Sequence, residues 1–400
     1  MRILHLEGEK ELRAVFHELN VDPYGIDIMF LKALPCLIRL NGISCIAATI
    51  LKQEMLSLGG DVALPRAVLT GKVKKTDCIL IGTVSHFLRL REKLQRQPFG
   101  LSKLGDELSL LIEHFRAGSF KLCLKGFSPI ALENRTAIMG IANVTPDSFS
   151  GDGFFLKKNS PCAIADAIRT LERDGADIID IGGESARPGA KPVSLQEELS
   201  RTVPIIKLLS KRIKVPLSID TRKPEVALQA LDNGAVLIND ISGLKSEHMI
   251  KIAARYKAGV VIMHMQGDPR VMQKNPSYHS VMDEILGFLS AAVQRAESGG
   301  IAPDKIIVDP GIGFGKTFQH NREIFQKLPE LRSLGKPILV GPSRKACIGE
   351  IVKKTPQERD EGTAAVCVAA SLKGANIVRV HNVKRVSEAL AVSDALMKAG

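Results

Sequence analysis

The sequence predicts a (β/α)8 barrel preceded by a smaller α/β domain, with residues 1–118 in the first and 119–400 in the second. Three observations carry this. Eight short apolar runs recur between Ala137 and Val380, each followed by a stretch with helical spacing. The runs are apolar throughout, as strands buried on both faces of a parallel sheet must be. A chain of 400 residues also exceeds the roughly 250 that one such barrel takes, which leaves room for a front domain. An open doubly wound sheet shares this alternation and is the competing fold.

In chain order, the front domain reads as a strand at Ile3 to Leu6, a helix at Glu9 to Leu19, a strand at Cys36 to Leu40 and a helix at Ser44 to Leu58. After Gly59-Gly60 follow a strand at Asp77 to Gly82 and helices near Ser85 to Leu94 and Ser102 to Phe115. No catalytic constellation stands out there, and His5 and His86 read as surface residues. Two short runs, Lys121 to Leu124 and Ser128 to Leu132, have the form of a hairpin that closes the bottom of a barrel. The eight strands are expected at Ala137 to Ile141, Ile178 to Ile181, Leu217 to Ile219, Val236 to Ile238, Val260 to Met263, Ile306 to Val308, Ile338 to Val340 and Ile377 to Val380. Helical patterns between them include Pro161 to Asp174, Gln196 to Lys211, Pro224 to Asp232 and Thr363 to Lys373.

Composition narrows the function classes. Hydrophobic residues make up 45% and charged ones 24% of the chain, which suits a globular protein with a large core. The net charge of +12 points to an anionic partner, but aromatics are only 4%, Trp is absent and no recognition motif appears. A phosphorylated small molecule therefore fits better than nucleic acid. The seven cysteines are odd in number and never in a C-x-x-C pair, so the reading is reduced thiols in the cytoplasm, without disulfide or zinc. Lys32, Arg39 and Asn41 interrupt the apolar segment from Ile28 to Leu51, and no membrane span is expected.

In a barrel of this class the reacting groups sit where strands end. All eight ends are polar. Asn143, Thr145 and Asp147 follow the first strand, and Glu184, Ser185 and Arg187 the second. Asp220-Thr221-Arg222 closes the third, Asn239-Asp240 the fourth and His264 the fifth. Asp309-Pro310-Gly311 closes the sixth, Ser343-Arg344-Lys345 the seventh, and Arg379 and His381 the eighth. Any one of these is explained by a helix cap or a turn, the reading kept for Asp240, Thr221 and Ser185. The rest divide chemically. Asp220, Asn239, Asp309 and Lys345 suit the edge of a flat heterocycle, whereas Arg187, Arg379 and His381 suit a polyanion. Gly311 to Thr317 is not a phosphate-binding Walker loop, because Pro310 stands where that pattern needs glycine. Its glycines read as places where backbone passes close to a ligand, with Phe314 beside it. His264 reads as a satisfied strand-end histidine rather than a metal ligand.

The run Met139-Gly140-Ile141-Ala142-Asn143-Val144-Thr145-Pro146-Asp147-Ser148-Phe149-Ser150 resembles the first signature of dihydropteroate synthases, and Gly175 to Gly189 resembles the second. Further matches in order are SIDT at Ser218, NDISG at Asn239, MHMQG at Met263, DPGIGFGK at Asp309, SRK at Ser343 and RVHNV at Arg379. The resemblance implies a TIM barrel that joins 6-hydroxymethyl-7,8-dihydropterin diphosphate to 4-aminobenzoate in folate synthesis, with Mg²⁺ and a homodimer. By position it implies a pterin pocket of Asp220, Asn239, Asp309 and Lys345, with Met263 and Phe314 as apolar walls and Gly313 beside them. Asn143, Arg187, Arg379 and His381 match the diphosphate and metal positions, with Asn143 as the metal ligand. Phe149 and Pro188 match the aminobenzoate side, and Ser343 is expected to touch substrate. Lys345, Arg379, His381 and Asp220 are the catalytic candidates.

Three departures from the family pattern stand out, the first two of them, each a lost hydroxyl, on the arylamine side. Ala186 stands where the second loop of the family has threonine, Ala346 follows SRK where serine is usual, and Gly151 is inserted before Asp152. The competing readings are a pterin-dependent methyltransferase, a synthase for a modified aminobenzene, and a silent pterin-binding protein. A methyltransferase has no use for a diphosphate clamp, which SRK and RVHNV supply.

Overall fold

The computed structural model describes residues 1–4, 9–145, 160–185, 192–269 and 271–397. The chain divides into two compact units, Met1–Arg116 and Ala117–Ala399.

The first unit runs α1 (Glu9–Glu18), α2 (Pro23–Ala33), β1 (Pro35–Ser44), α3 (Cys45–Leu58), β2 (Asp61–Ala63), α4 (Arg66–Leu69), β3 (Lys75–Thr83), α5 (Val84–Leu94) and α6 (Leu101–Arg116). Its sheet is antiparallel in the order β1-β3-β2. Alternation in β3 buries Thr76, Cys78 and Leu80 and exposes Ile79 and Ile81. Leu51, Met55, Phe87 and Leu90 complete the core from the helices. Ile3 and Leu4 of the expected first strand are not in a strand, and His5 and Leu6 lie outside the described residues. Helix α2 was not legible because apolar Tyr24, Ile28 and Met29 are exposed around buried Ile26 and Phe30, which blurs any stripe. Asp22 caps it, accepting from the amides of Tyr24 and Gly25. His86 is a helix-start residue rather than a plain surface one, since its Nδ1 accepts from the Thr83 amide at 3.2 Å. The apolar segment from Ile28 to Leu51 divides among α2, β1 and α3, and no helix among the described residues is long and apolar enough to cross a membrane.

The second unit opens with an antiparallel hairpin of β4 (Lys121–Leu122) and β5 (Ile130–Ala131). Eight parallel strands follow: β6 (Ala137–Asn143), β7 (Ile178–Gly182), β8 (Leu217–Asp220), β9 (Leu237–Asp240), β10 (Gly259–Met263), β11 (Ile306–Asp309), β12 (Leu339–Val340) and β13 (Ile377–Val380). Their order is β11-β10-β9-β8-β7-β6-β13-β12, and a parallel bridge between Val308 and Ile338 closes the ring. An open doubly wound sheet is thereby excluded. The helices between and after them are α7 (Pro161–Arg173), α8 (Leu195–Leu209), α9 (Pro224–Asp232), α10 (Glu247–Tyr256), α11 (Val281–Ser298), α12 (Phe318–Gln326), α13 (Ala346–Val352), α14 (Asp360–Leu372) and α15 (Val383–Met397).

Side chains of a strand alternate between the two faces of the barrel wall. Ile138, Ile179, Ile219, Ile238 and Val260 pack outward against the helices. Met139, Ile178, Leu237, Val261, Ile307, Leu339 and Ile377 point inward onto Leu122, Leu124 and Leu132 of the hairpin segment. Two residues further along, the inward positions of four of these strands turn polar, at Asp180, Asn239, Asp309 and Arg379. An apolar floor thus carries a polar layer on its upper side.

Candidate active site

The strand ends open into a cleft of about 930 Å³. Its lining includes Asn143 from β6, Asp220 from β8, Gly313 and Phe314 after β11, Ser343 and Lys345 after β12, and Arg379 and His381 from β13 and the turn after it. Asn239, Met263 and Asp309 lie deeper, each almost fully buried. Phe149, Arg187, Pro188 and Ala186 fall outside the described residues.

The floor is built on a chain of charge. Asp180, fully buried in β7, accepts from Arg379 Nε at 2.7 Å and from Asn239 Nδ2 at 2.9 Å through the same Oδ2. Arg379 Nη2 donates to Asp220 Oδ2 at 2.7 Å. Sequence reasoning missed Asp180, although a carboxylate inside an otherwise apolar strand is itself a signal. Burial pushes the Asp220 carboxyl up to about 7, with the Arg379 guanidinium opposing and Asp180 adding to the rise. Burial likewise lifts Asp309 to about 6, although it accepts from the Gly311 amide at 2.7 Å and faces the positive charge of Lys345.

Lys345 Nζ stands 3.8 Å from the centroid of the Phe314 ring, a cation–π contact that keeps the ammonium over an apolar wall. Burial pushes this lysine down to about 8, helped by the Arg379 charge and opposed by Asp309. Ser343 Oγ lies 2.9 Å from His381 Nδ1 and accepts from the His381 amide at 3.2 Å. This hydroxyl therefore ties the seventh loop to the eighth.

The glycine loop after β11 is explained differently from the sequence reading. A Cβ on Gly311 would lie 1.9 Å from the His264 carbonyl, and one on Gly315 2.5 Å from the Gln266 carbonyl. These glycines admit the fifth loop, while Gly313 faces the Lys345 side chain. Buried Lys316 staples the two loops together, with Nζ 3.0 Å from His264 Nδ1 and donating to the Phe314 carbonyl at 3.0 Å. Burial pushes Lys316 down to about 7 and His264 down to about 3, so His264 is a neutral, satisfied histidine. The turn readings fit as well. Asp240 accepts from the amides of Ser242 and Leu244, and Thr221 Oγ1 donates to buried Glu198 at 2.6 Å while accepting from the Lys223 amide.

A flat ligand with hydrogen-bonding edges and an anionic tail matches this arrangement. The pterin binding enzyme family matches residues 139–381. A dihydropteroate synthase of Synechocystis sp. is 49% identical over 266 residues, which take in 66% of this chain and 91% of that protein. The chain belongs to the dihydropteroate synthases. Enzymes of this family are transferases, and the barrel here is that of a transferase. The solved Xanthomonas albilineans dihydropteroate synthase with 4-aminobenzoic acid superposes with a TM-score of 0.65 at 38% identity, covering 70% of this chain and all of that one. A probable bifunctional folylpolyglutamate synthase/dihydropteroate synthase of Halobacterium salinarum is 39% identical over 390 residues, 96% of this chain and 46% of that protein. That similarity takes in the front unit as well as the barrel.

Proposed function

We propose that the barrel condenses 6-hydroxymethyl-7,8-dihydropterin diphosphate with 4-aminobenzoate to give 7,8-dihydropteroate and pyrophosphate, as a step of folate synthesis. The single observation that carries the residue assignment is the shared cleft: Asp220, Lys345, Arg379 and His381 meet in one cavity though they come from three different strands and their loops.

In this reading Asp220, Asn239 and Asp309 hold the polar edges of the pterin above the floor, Met263 and Phe314 flank the ring, and Gly313 admits it beside Lys345. Arg379 uses Nε and Nη2 on the two carboxylates, and neither of those bonds engages its Nη1. That nitrogen, with His381 and Ser343, is the arm for the diphosphate. Heterolysis of the C–O bond leaves the electron pair on the diphosphate and positive charge on the methylene carbon, which the electron-rich dihydropterin delocalises. Groups already aimed at the growing negative charge lower the barrier. The arylamine nitrogen then forms the C–N bond, and its extra proton passes to the diphosphate. Arg187 would join the diphosphate arm, and Phe149 and Pro188 the acceptor side.

Asn143 offers a hard amide oxygen at the mouth, and among the described residues no three His, Cys, Asp or Glu side chains gather to cage a metal. That donor set suits Mg²⁺, which keeps much of its water and is commonly held by substrate phosphates with one or two protein oxygens. Bound there with the diphosphate, Mg²⁺ would supply positive charge to the leaving oxygens. Leu372 on α14 and Val392 and Leu396 on α15 are exposed apolar side chains on the barrel exterior, and they support a homodimer through that face. The seven cysteines are unpaired, which suits a cytoplasmic setting.

The deciding assay mixes the protein with dihydropterin diphosphate, Mg²⁺ and a panel of arylamines and follows pyrophosphate release. Release that requires both the pterin and an arylamine is expected; none with any arylamine would overturn the reading. Scrambling of isotope within the diphosphate when no amine is present is expected of the dissociative path, and its complete absence would exclude that path. Ala346 is exposed at the cleft, so the panel includes aminobenzenes modified at the carboxyl group.

A further inference from the structure

Arg344 is a non-glycine residue in the left-handed region, at φ +58, between Ser343 and Lys345. L-residues adopt that conformation at a cost, so it persists only where surrounding contacts hold it. Here they converge from the start of α14. The Arg344 side chain reaches Asp360 with both ends of its fork, Nε to Oδ1 at 2.8 Å and Nη2 to Oδ2 at 3.0 Å. Both side chains are only 14% exposed. The backbone is held as well: the Arg344 amide donates to Thr363 Oγ1, and Arg359 Nη1 donates to the carbonyls of Arg344 and Lys345.

Asp360 has a third bond, from the next loop. Asn382 Nδ2 donates to Asp360 Oδ2 at 2.8 Å, and Asn382 directly follows His381. One carboxylate therefore binds the residue between Ser343 and Lys345 and the residue after His381. Within the cleft these same two loops meet a second time through Ser343 Oγ and His381. Burial works against ionisation of Asp360, yet the bonds from Arg344 and Asn382 hold its carboxyl below the ordinary range.

We infer that Asp360, from outside the substrate contacts, is a positioning residue for the reaction: its carboxylate sets the left-handed turn at Arg344 and, through Asn382, the place of His381. Lys345 and the Ser343–His381 pair are then aimed together. The inference rests on the reading of that cleft as the site for the pterin and its diphosphate. Small displacements of such groups cost up to about a hundredfold in rate.

The test is a double-mutant cycle in the full chain, with kinetics varied separately in dihydropterin diphosphate and in the arylamine. Asp360→Ala is expected to lower kcat/KM for the pterin substrate by at least about tenfold, with KM for the arylamine within about twofold of wild type. Arg344→Ala should do the same, and the double variant should lose no more than the worse single one, as for residues acting as a unit. Asp360→Asn, which keeps the shape and an acceptor oxygen, should recover part of the loss; if Asp360→Ala fails to fold, the cycle is run with Asp360→Asn. Wild-type kinetics in the Asp360 variant, losses that multiply in the double variant, or equal loss toward both substrates would overturn the inference. Lys345→Ala and Ser343→Ala run alongside: if both retain full turnover, the reading of the cleft itself has failed.

Discussion

Arg379 Nη2 donates to Asp220 Oδ2 at 2.7 Å, linking the last strand of the barrel to the third across its mouth. The same guanidinium holds fully buried Asp180. Truncation to alanine would leave buried Asp180 without its counter-charge, with the Asn239 amide as its remaining donor. Arg379→Ala is expected to cost about 3 kcal/mol of folding stability at pH 8, measured by urea unfolding. Burial already lifts the Asp220 carboxyl, and the variant removes the guanidinium that opposes the rise, so Asp220 binds its proton at higher pH in the folded chain than in the unfolded chain and the deficit should shrink toward pH 5. An unchanged midpoint at pH 8 would show that the ion pair is not structural.

Loss of either charged group at the pterin edge should act on the transition state. Lys345→Ala or Asp220→Ala is expected to cost at least about 2 kcal/mol, roughly thirtyfold in kcat/KM. Steady-state kinetics decide it, and near-wild-type turnover in either variant refutes that residue's role.

The rate should follow a bell in pH. Asp220 and Asp309, lifted to about 7 and about 6 by burial, offer two charged acceptor oxygens when ionised and give up one of them, with the charge, when protonated, so activity falls as pH drops through that range. Lys345, pushed down to about 8, loses its proton above that pH and with it a donor. A plot of log kcat/KM for the pterin substrate should therefore peak between the two limbs, which belong to the coupled set rather than to single residues. Lys345→Met should flatten the alkaline limb. A profile level from pH 6 to 9 counts against the assignment.

Two glycines should respond in opposite directions. Gly311 has φ +69 and its Cβ would strike the His264 carbonyl, so Gly311→Ala is expected to lose about 3 kcal/mol. Gly287 sits on α11 with nothing within 4 Å of a Cβ, so Gly287→Ala should gain about 0.5 to 1 kcal/mol. Thermal melts of both variants check the pair.

The barrel was legible because its strands are continuous apolar runs, and the cleft because each run ends in polar residues. The front unit was read less well, since β2 and α4 are three and four residues long and α2 lacks a clean stripe. What escaped the sequence was partnership. Asp180 and Arg379 stand 199 positions apart, and Asp360 and Asn382 meet only because adjacent strands bring their loops together. Neither pairing has a local spacing to betray it. The glycines after β11 were noticed, but the surface they accommodate is another loop, which no pattern within that segment encodes.

Leu122, Leu124 and Leu132 stop the far end of the barrel. Among the described residues the cleft opens at the other end, where the strands end. On the proposed reading, with the pterin against the buried polar layer, traffic is ordered by depth: the bicyclic partner enters ahead of the amine, and the joined product leaves last.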